Sequence, residues 1–265
     1  MRKPFRRIAV LLLSLALAPQ AFAAEDCQSR MYSLLTAAYP GAQGETGDNG
    51  EMLRLPGAEP RWINLGEVAC KVWPASPDKT LIAVMLQHQN TFDDEGSADL
   101  ELLVADSMHE RIAQRYREND ALQSDAIRIT GLALDTARYR LNESTTAFGV
   151  RVNSANGSRA NPYSSTRLSL YVLDGVTIRP VLRDIEMDAD NGEWDTRCDG
   201  EFHSSRSTLA VDGKRDHGYA GLILRTVDKS TRQSLKGDEC AESVAESETR
   251  SERLSYDGRE YSKPD

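Results

Sequence analysis

The sequence is poor in the residues that do most chemistry. Its four histidines, at 88, 109, 203 and 217, stand far apart. No pair has helical metal-ligand spacing, and no His-Glu-x-x-His run occurs. The four cysteines, Cys27, Cys70, Cys198 and Cys240, include no Cys-x-x-Cys pair, so zinc-ribbon and thioredoxin-like readings lack their spacing. There is no Gly-x-Ser-x-Gly elbow. Val211-Asp212-Gly213-Lys214-Arg215 lacks both the earlier glycine and the following hydroxyl residue of a phosphate loop. Basic residues are short as well: 32 Lys and Arg face 41 Asp and Glu, a formal charge of −9. Phosphate contacts need a Lys/Arg footprint, so nucleic acid is a poor partner, and anionic lipid surfaces would repel the chain. A cationic partner would be drawn to it. Long apolar runs are missing apart from Ile8 to Ala18, about half of the roughly 20 residues that span a bilayer.

What is there begins with an export pattern. Arg2, Lys3, Arg6 and Arg7 precede that apolar run, and Ala21-Phe22-Ala23 supplies a small-x-small cleavage site. The expectation is a signal peptide over residues 1–23, cleaved after Ala23, and a periplasmic or secreted product without a membrane span. Removing the leader's four basic residues would leave 28 basic against 41 acidic side chains. In an oxidising compartment an even cysteine count predicts disulfides. Three connectivities are possible. Cys27–Cys70 and Cys198–Cys240 are favoured because each pair lies within one region of the chain.

Periodicity predicts an all-β fold. Residues 24–61 read as a helix near 27–39, where Met31, Leu34, Leu35 and Ala38 recur at helical spacing, followed by a loop rich in Gly, Pro and acidic residues. Residues 62–265 read as one antiparallel β domain of about eleven or twelve short strands, a sandwich or barrel. Thr80 to Leu86 and Ala98 to Asp106 are apolar enough to be buried strands. Leu168 to Met187 reads as a hairpin reversing at Asp174-Gly175. Pro180 cannot donate to a ladder, so the return strand is expected at an edge or a bulge. Further hairpins are predicted at Asp212-Gly213 and Asp257-Gly258. Residues 229–252, rich in Ser, Glu, Lys and Thr, read as a flexible loop.

The most chemical-looking stretch is Asp184-Ile185-Glu186-Met187-Asp188-Ala189-Asp190. An extended backbone would put Asp184, Glu186, Asp188 and Asp190 on one face, as candidate Ca²⁺ ligands. The EF-hand template fails, because Gly192 would put Met187 at its first position, and a solvated strand face is the plainer reading. No cofactor is otherwise indicated. Trp194, four residues from Cys198, is expected to pack on a disulfide. The segment Gly192-Glu193-Trp194-Asp195-Thr196-x-Cys198-x-Gly200-Glu201-Phe202, with Cys70-Lys71-Val72-Trp73-Pro74, resembles exported proteins of Gram-negative bacteria. The resemblance implies a periplasmic or secreted home and supplies no activity or site residue. The sequence therefore points to a disulfide-stapled, non-catalytic binding protein of the inhibitor, immunity or envelope-accessory kind. Its partner would be a protein or envelope component, and the acidic charge would draw one with a basic surface. The alternative is a secreted hydrolase with a paired-carboxylate or loop-assembled Ser/His/Asp site.

Overall fold

The computed structural model describes residues 27–47, 50–89 and 95–262; the expected leader lies outside them. Helix α1, Cys27–Ala38, buries Cys27, Met31, Leu34, Leu35 and Ala38 on one face, as the 3.6-residue period requires. Gly41, at φ +85°, turns the chain out of it.

The first antiparallel sheet contains β1 (Gln43–Gly47), β2 (Gly50–Leu55), β3 (Arg61–Asn64), β4 (Ala69–Val72), β5 (Lys79–Gln87), β6 (Gly96–Asp106) and β7 (Ile112–Ser124). Their order is β1-β2-β3-β5-β6-β7, with β4 also pairing β5. The second sheet contains β8 (Arg128–Arg140), β9 (Thr146–Ala155), β10 (Tyr163–Asp174), β11 (Thr177–Trp194), β12 (Gly200–Asp216), β13 (Tyr219–Lys236), β14 (Glu239–Tyr256) and β15 (Tyr261–Ser262). Its order runs from β15 back to β8 without a crossover. The fold class is thus the expected one: antiparallel β, one short helix, two disulfides. Both sheets are open paths among the described residues, so the sandwich-or-barrel alternative resolves away from a closed barrel.

Strands β5 and β6 are mostly apolar because both of their faces are covered, with Asp99 and Glu101 of β6 as buried charged exceptions. Ile82, Val84, Leu86 and Leu103 pack under α1. Leu81, Ala83, Met85, Leu100 and Leu102 face the second sheet, against Phe148, Val150 and Tyr171. A third core forms within the second sheet, where Leu168, Leu170 and Val172 meet Leu222, Leu224, Leu254 and Tyr256. The disulfide Cys27–Cys70 ties α1 to β4, and Cys198–Cys240 ties the β11–β12 turn to β14.

Three expectations need correction. The loop predicted after α1 contains the β1–β2 hairpin; β1 is exposed along almost its whole length and so carries no apolar alternation. Residues 229–252 are paired strand, the distal halves of β13 and β14, matched from Asp228↔Glu248 to Lys236↔Glu239 with one register shift between Ser230 and Thr231. Both faces of this part are wet, so its composition is that of a loop while its backbone is a ladder. The reversal predicted at Asp212-Gly213 occurs instead at His217-Gly218, both at positive φ, the requirement of a tight hairpin turn. Asp212 and Gly213 sit in an irregular stretch of β12, where Arg253 bridges Asp212 and Asp216 at 2.6 and 2.5 Å. The other two hairpins reverse as expected, with Asp174↔Thr177 and Tyr256↔Tyr261. Pro180 lies opposite Tyr171 at a register shift, on the part of β11 that has no second neighbour before Asp188.

Burial sets the pH limits of this fold. Burial pushes the phenols of Tyr39, Tyr139, Tyr171 and Tyr261 above their usual range, with Glu101 and Asp135 adding to the effect at Tyr39 and Tyr139. A raised folded value means stability that is complete below the free phenol's value of about 10 and is lost as pH rises through the folded value. Burial also disfavours ionised Asp99 and Asp135. At Asp99 the bond from His88 and the Asp120 N–H outweigh burial, and at Asp135 the Ala137 N–H and Arg151 do so, leaving both carboxyls below the usual range. Their contribution is present above about pH 3.9 and is lost as pH falls below it. Urea midpoints should therefore drop both at pH 3 and at pH 11 relative to pH 7; a midpoint constant from 7 to 11 would contradict the tyrosine assignment.

Candidate functional site

Beyond Asp188 in β11 and Val227 in β13 the second sheet leaves the cores behind. No residue of 190–208 or 228–251 belongs to any of the three clusters. A single layer of β11, β12, β13 and β14 continues as a projection. Its ladder is reinforced by cross-strand ion pairs: Arg232–Glu201 at 3.7 Å, Lys229–Glu242 at 3.7 Å, and Arg250–Asp228. Such exposed pairs are individually weak, about 0.2–1 kcal/mol each, so the Cys198–Cys240 staple near the tip matters more.

The tip explains the GEWDT-x-C-x-GEF segment. Asp195 accepts from the N–H groups of Arg197 and Cys198, both at 2.8 Å, and these backbone donors hold its carboxyl below the usual range. Thr196, at φ +65°, completes the reversal. Gly192 is paired with Phe202, and Gly200 with Trp194. A Cβ on Gly192 would stand 2.5 Å from Phe202 Cδ1, and one on Gly200 would stand 2.9 Å from Trp194 Cδ1 and 3.0 Å from Phe202 Cε2. The glycines are there so that the aromatic rings can lie down on the neighbouring strand. Trp194 therefore packs over Gly200.

The ladder places Asp190, Ser204 and Lys229 in one cross-strand row, and Gly192, Phe202 and Thr231 in another two residues along. By the alternation of strands these rows share a face. On that face lies an open trough of about 500 Å³, also lined by Asn156, Tyr163, Gln233 and Glu242. It runs into a second depression of about 260 Å³ through the shared residues Ser164 and Asp190, and that depression adds Asn153, Thr166, Asp188 and Arg206. One wall is held firmly. Asn156 Nδ2 donates to Asn161 O at 2.8 Å, and Asn156 Oδ1 accepts from Tyr163 N–H at 3.0 Å. The loop is also bound to β11, with Gly192 N–H on Pro162 O at 3.1 Å and Trp194 N–H on Ala160 O at 2.7 Å. His203, with Nδ1 2.9 Å from Ser230 Oγ, lines the trough together with Asn191, and both residues, with Pro162 and Tyr163, are shared with an adjoining depression that adds Glu193 and Glu201.

The structure does not bring the four sequence-predicted carboxylates together. Asp184 sits at φ +55°, and β11 is irregular against β10 on either side of Glu186, so the alternation that would align them is broken. Asp184 pairs with Arg167 at 3.0 Å. Asp188 lies 3.8 Å from Arg151 and 3.7 Å from Arg206. Asp190 takes both oxygens to Arg206 at 2.7 Å. Glu186 is exposed.

A second constellation was not legible in the sequence. At the mouth of the β5–β6 hairpin His88 faces Ser97 across the pair, joined by His88 N–H to Ser97 O at 3.0 Å. Its Nε2 lies 2.7 Å from Asp99 Oδ1, and the Ser97 hydroxyl lies 2.9 Å from Nδ1. With Asp99 ionised, Nε2 donates to it and Nδ1 accepts from Ser97. Asp99 is nearly inaccessible and is held further by Arg61 at 3.3 Å and by the N–H of Asp120 at 3.1 Å. His88, Asp99 and Asp120 are also close enough to one another to share a cation, although both imidazole nitrogens already have partners. The only advance signal is polar residues spaced by two beside a buried run, which any strand end can show.

The chain matches no protein-family model, no curated protein and no solved structure. Among the described residues no helix is long and apolar enough to cross a membrane, and two disulfides are formed. Both facts are compatible with a periplasmic or extracellular protein.

Proposed function

We propose that this is a non-catalytic binding protein of the periplasm or the secreted space, and that the trough-bearing face of the β11–β14 projection is its binding surface. One observation carries the reading. The chain extends four strands well past its last core contact, staples them at the tip, and clamps a loop beside them to make a defined trough. The apolar surface it does bury, at Trp194, Phe202 and Cys198, is local to the projection and joins none of the three cores, so stability of the core does not call for it. The chain's acidic excess acts only on long-range encounter; at the surface itself Asp188 and Asp190 are paired with Arg206 and Glu242 with Lys229. The test is capture from a periplasmic extract on immobilised protein at low and at high salt, with Ser204→Arg as the matched variant. Ser204 lies on the trough floor away from every core, so its variant should melt as wild type does. Wild type should retain a partner that the variant does not; equal retention by both, or an empty eluate at both salts, would remove the proposal.

The Ser97–His88–Asp99 chain favours a hydrolase as the second reading, since nucleophile, base and orienting acid stand within hydrogen-bond reach. It ranks second because the three are neighbours on one hairpin, where the same bonds close the end of the sheet. A fluorophosphonate probe decides: a hydrolase labels at Ser97 and loses the label in Ser97→Ala, whereas no label on folded protein sinks this reading.

A further inference from the structure

We infer that the ligand of the trough is a linear oligosaccharide, a conclusion that rests on the binding reading above. Three observations select that chemistry.

The first is charge. The chain is acidic overall, but the acids of this face are answered in place: Asp190 and Asp188 by Arg206, and Glu242 by Lys229. A cation or a basic peptide would have to displace an arginine or a lysine from each carboxylate. A phosphorylated ligand would meet carboxylates beside every cation. A neutral ligand has neither cost.

The second is the hydrogen-bonding character of the lining. Ser164, Ser204 and Thr231 carry hydroxyls, and Asn153 and Gln233 carry amides. Each of these groups both donates and accepts. Sugar hydroxyls do the same, so the two sets match without regard to direction. An extended peptide instead needs a free strand edge, since main-chain bonds supply its affinity; the trough lies on a face, across strands whose backbones are already paired from β9 to β13.

The third is Phe202. Its ring lies against Gly192 and Gly200 with no Cβ beneath it, and it lines the trough while remaining only partly buried. The ring thus offers the trough an apolar, π-bearing surface on which the C–H groups of a pyranose can rest. The length also fits. The trough and its continuation draw residues from β9 to β14, and adjacent strands are about 4.8 Å apart, so the surface is an elongated track and not a closed socket.

The test uses the mature oxidised protein and a defined panel: the β-1,4-linked hexamer of N-acetylglucosamine, cellohexaose, maltohexaose, and hexalysine as the charge control. Binding is read by amide chemical-shift titration. At least one hexasaccharide should shift the amides of Ser204, Thr231 and Gln233 saturably, with little dependence on salt. Phe202→Ala should weaken that binding at least ten-fold, and Phe202→Tyr should retain it. Because Phe202 also covers two glycines, Gln233→Ala serves as a second variant and should weaken binding several-fold with an unchanged melting temperature. The inference is overturned if no hexasaccharide shifts these amides at millimolar concentration, or if hexalysine alone does so. If Ser204→Arg still abolishes capture from extract in that case, the surface stands and only the ligand class is wrong. If Ser204→Arg changes neither, the surface assignment fails as well.

Discussion

Glu101→Gln is expected to destabilise the protein by about 3–5 kcal/mol, the range for removing one partner of a buried ion pair. Glu101 is wholly inaccessible, on the face of β6 that packs under α1. One oxygen lies 3.2 Å from Arg115 Nε; the other accepts from Arg117 at 2.7 Å and from the Tyr39 hydroxyl at 2.9 Å. Arg115 also donates to Ala38 O at 2.6 Å, at the last turn of the helix, and its guanidinium lies 5.0 Å from the Tyr39 ring centroid. The carboxylate thus joins β6, β7 and the end of α1. Gln keeps the volume and can still accept from Tyr39, but it leaves two guanidinium groups without a counter-charge. The Arg115 and Arg117 side chains are 40% and 38% exposed, so water takes up part of the loss, and the lower half of the range is the better expectation. Urea unfolding at pH 7 measures it. A change under 0.5 kcal/mol would show that the cluster is solvated in the folded protein.

The second large effect separates the two disulfides. Cys27 and Cys70 are 43 residues apart, and Cys198 and Cys240 are 42 apart. Loop-closure entropy is then nearly equal for the two, about 4 kcal/mol each. Their surroundings are not equal. Cys27 is buried in the core under α1, so Cys27→Ser with Cys70→Ser should lower global stability by nearly the full amount and expose Leu34 and Leu35. Cys198–Cys240 staples a projection that shares no core residue with the rest. That end can open while the body stays folded. Cys198→Ser with Cys240→Ser should therefore leave the main urea transition nearly unchanged, while amides near 198–202 and 236–244 exchange faster. Equal global losses for both pairs would mean that the projection and the body unfold as one unit.

These cases show which features the chain displays locally. Helix α1 was legible because Met31, Leu34, Leu35 and Ala38 keep one period and Pro40-Gly41 ends it. Strands β5 and β6 were legible because burial on both faces leaves them mostly apolar, although the buried partners of Asp99 and Glu101 were not legible with them. The disulfide pairing followed from regional proximity. The distal halves of β13 and β14 were illegible for the opposite reason: a strand with two wet faces has no apolar alternation. The true turn at His217-Gly218 was hidden by a better-looking Asp-Gly five residues earlier, which Arg253 holds in place from β14. The acidic run displays its charge in the sequence but not its geometry: Asp184 has positive φ and β11 is irregular against β10 on either side of Glu186, which alternation along one strand does not reveal.

By itself the sequence determined the antiparallel β class, the short amino-terminal helix and the strands that must be buried, since those depend on how apolar residues recur along the chain. Only the tertiary structure decided that Arg206 answers Asp188 and Asp190, that Phe202 lies over two glycines to floor a trough, and that Ser97, His88 and Asp99 meet. Each of these depends on cross-strand register, and register is settled by the packing of whole sheets, to which no single segment holds the key.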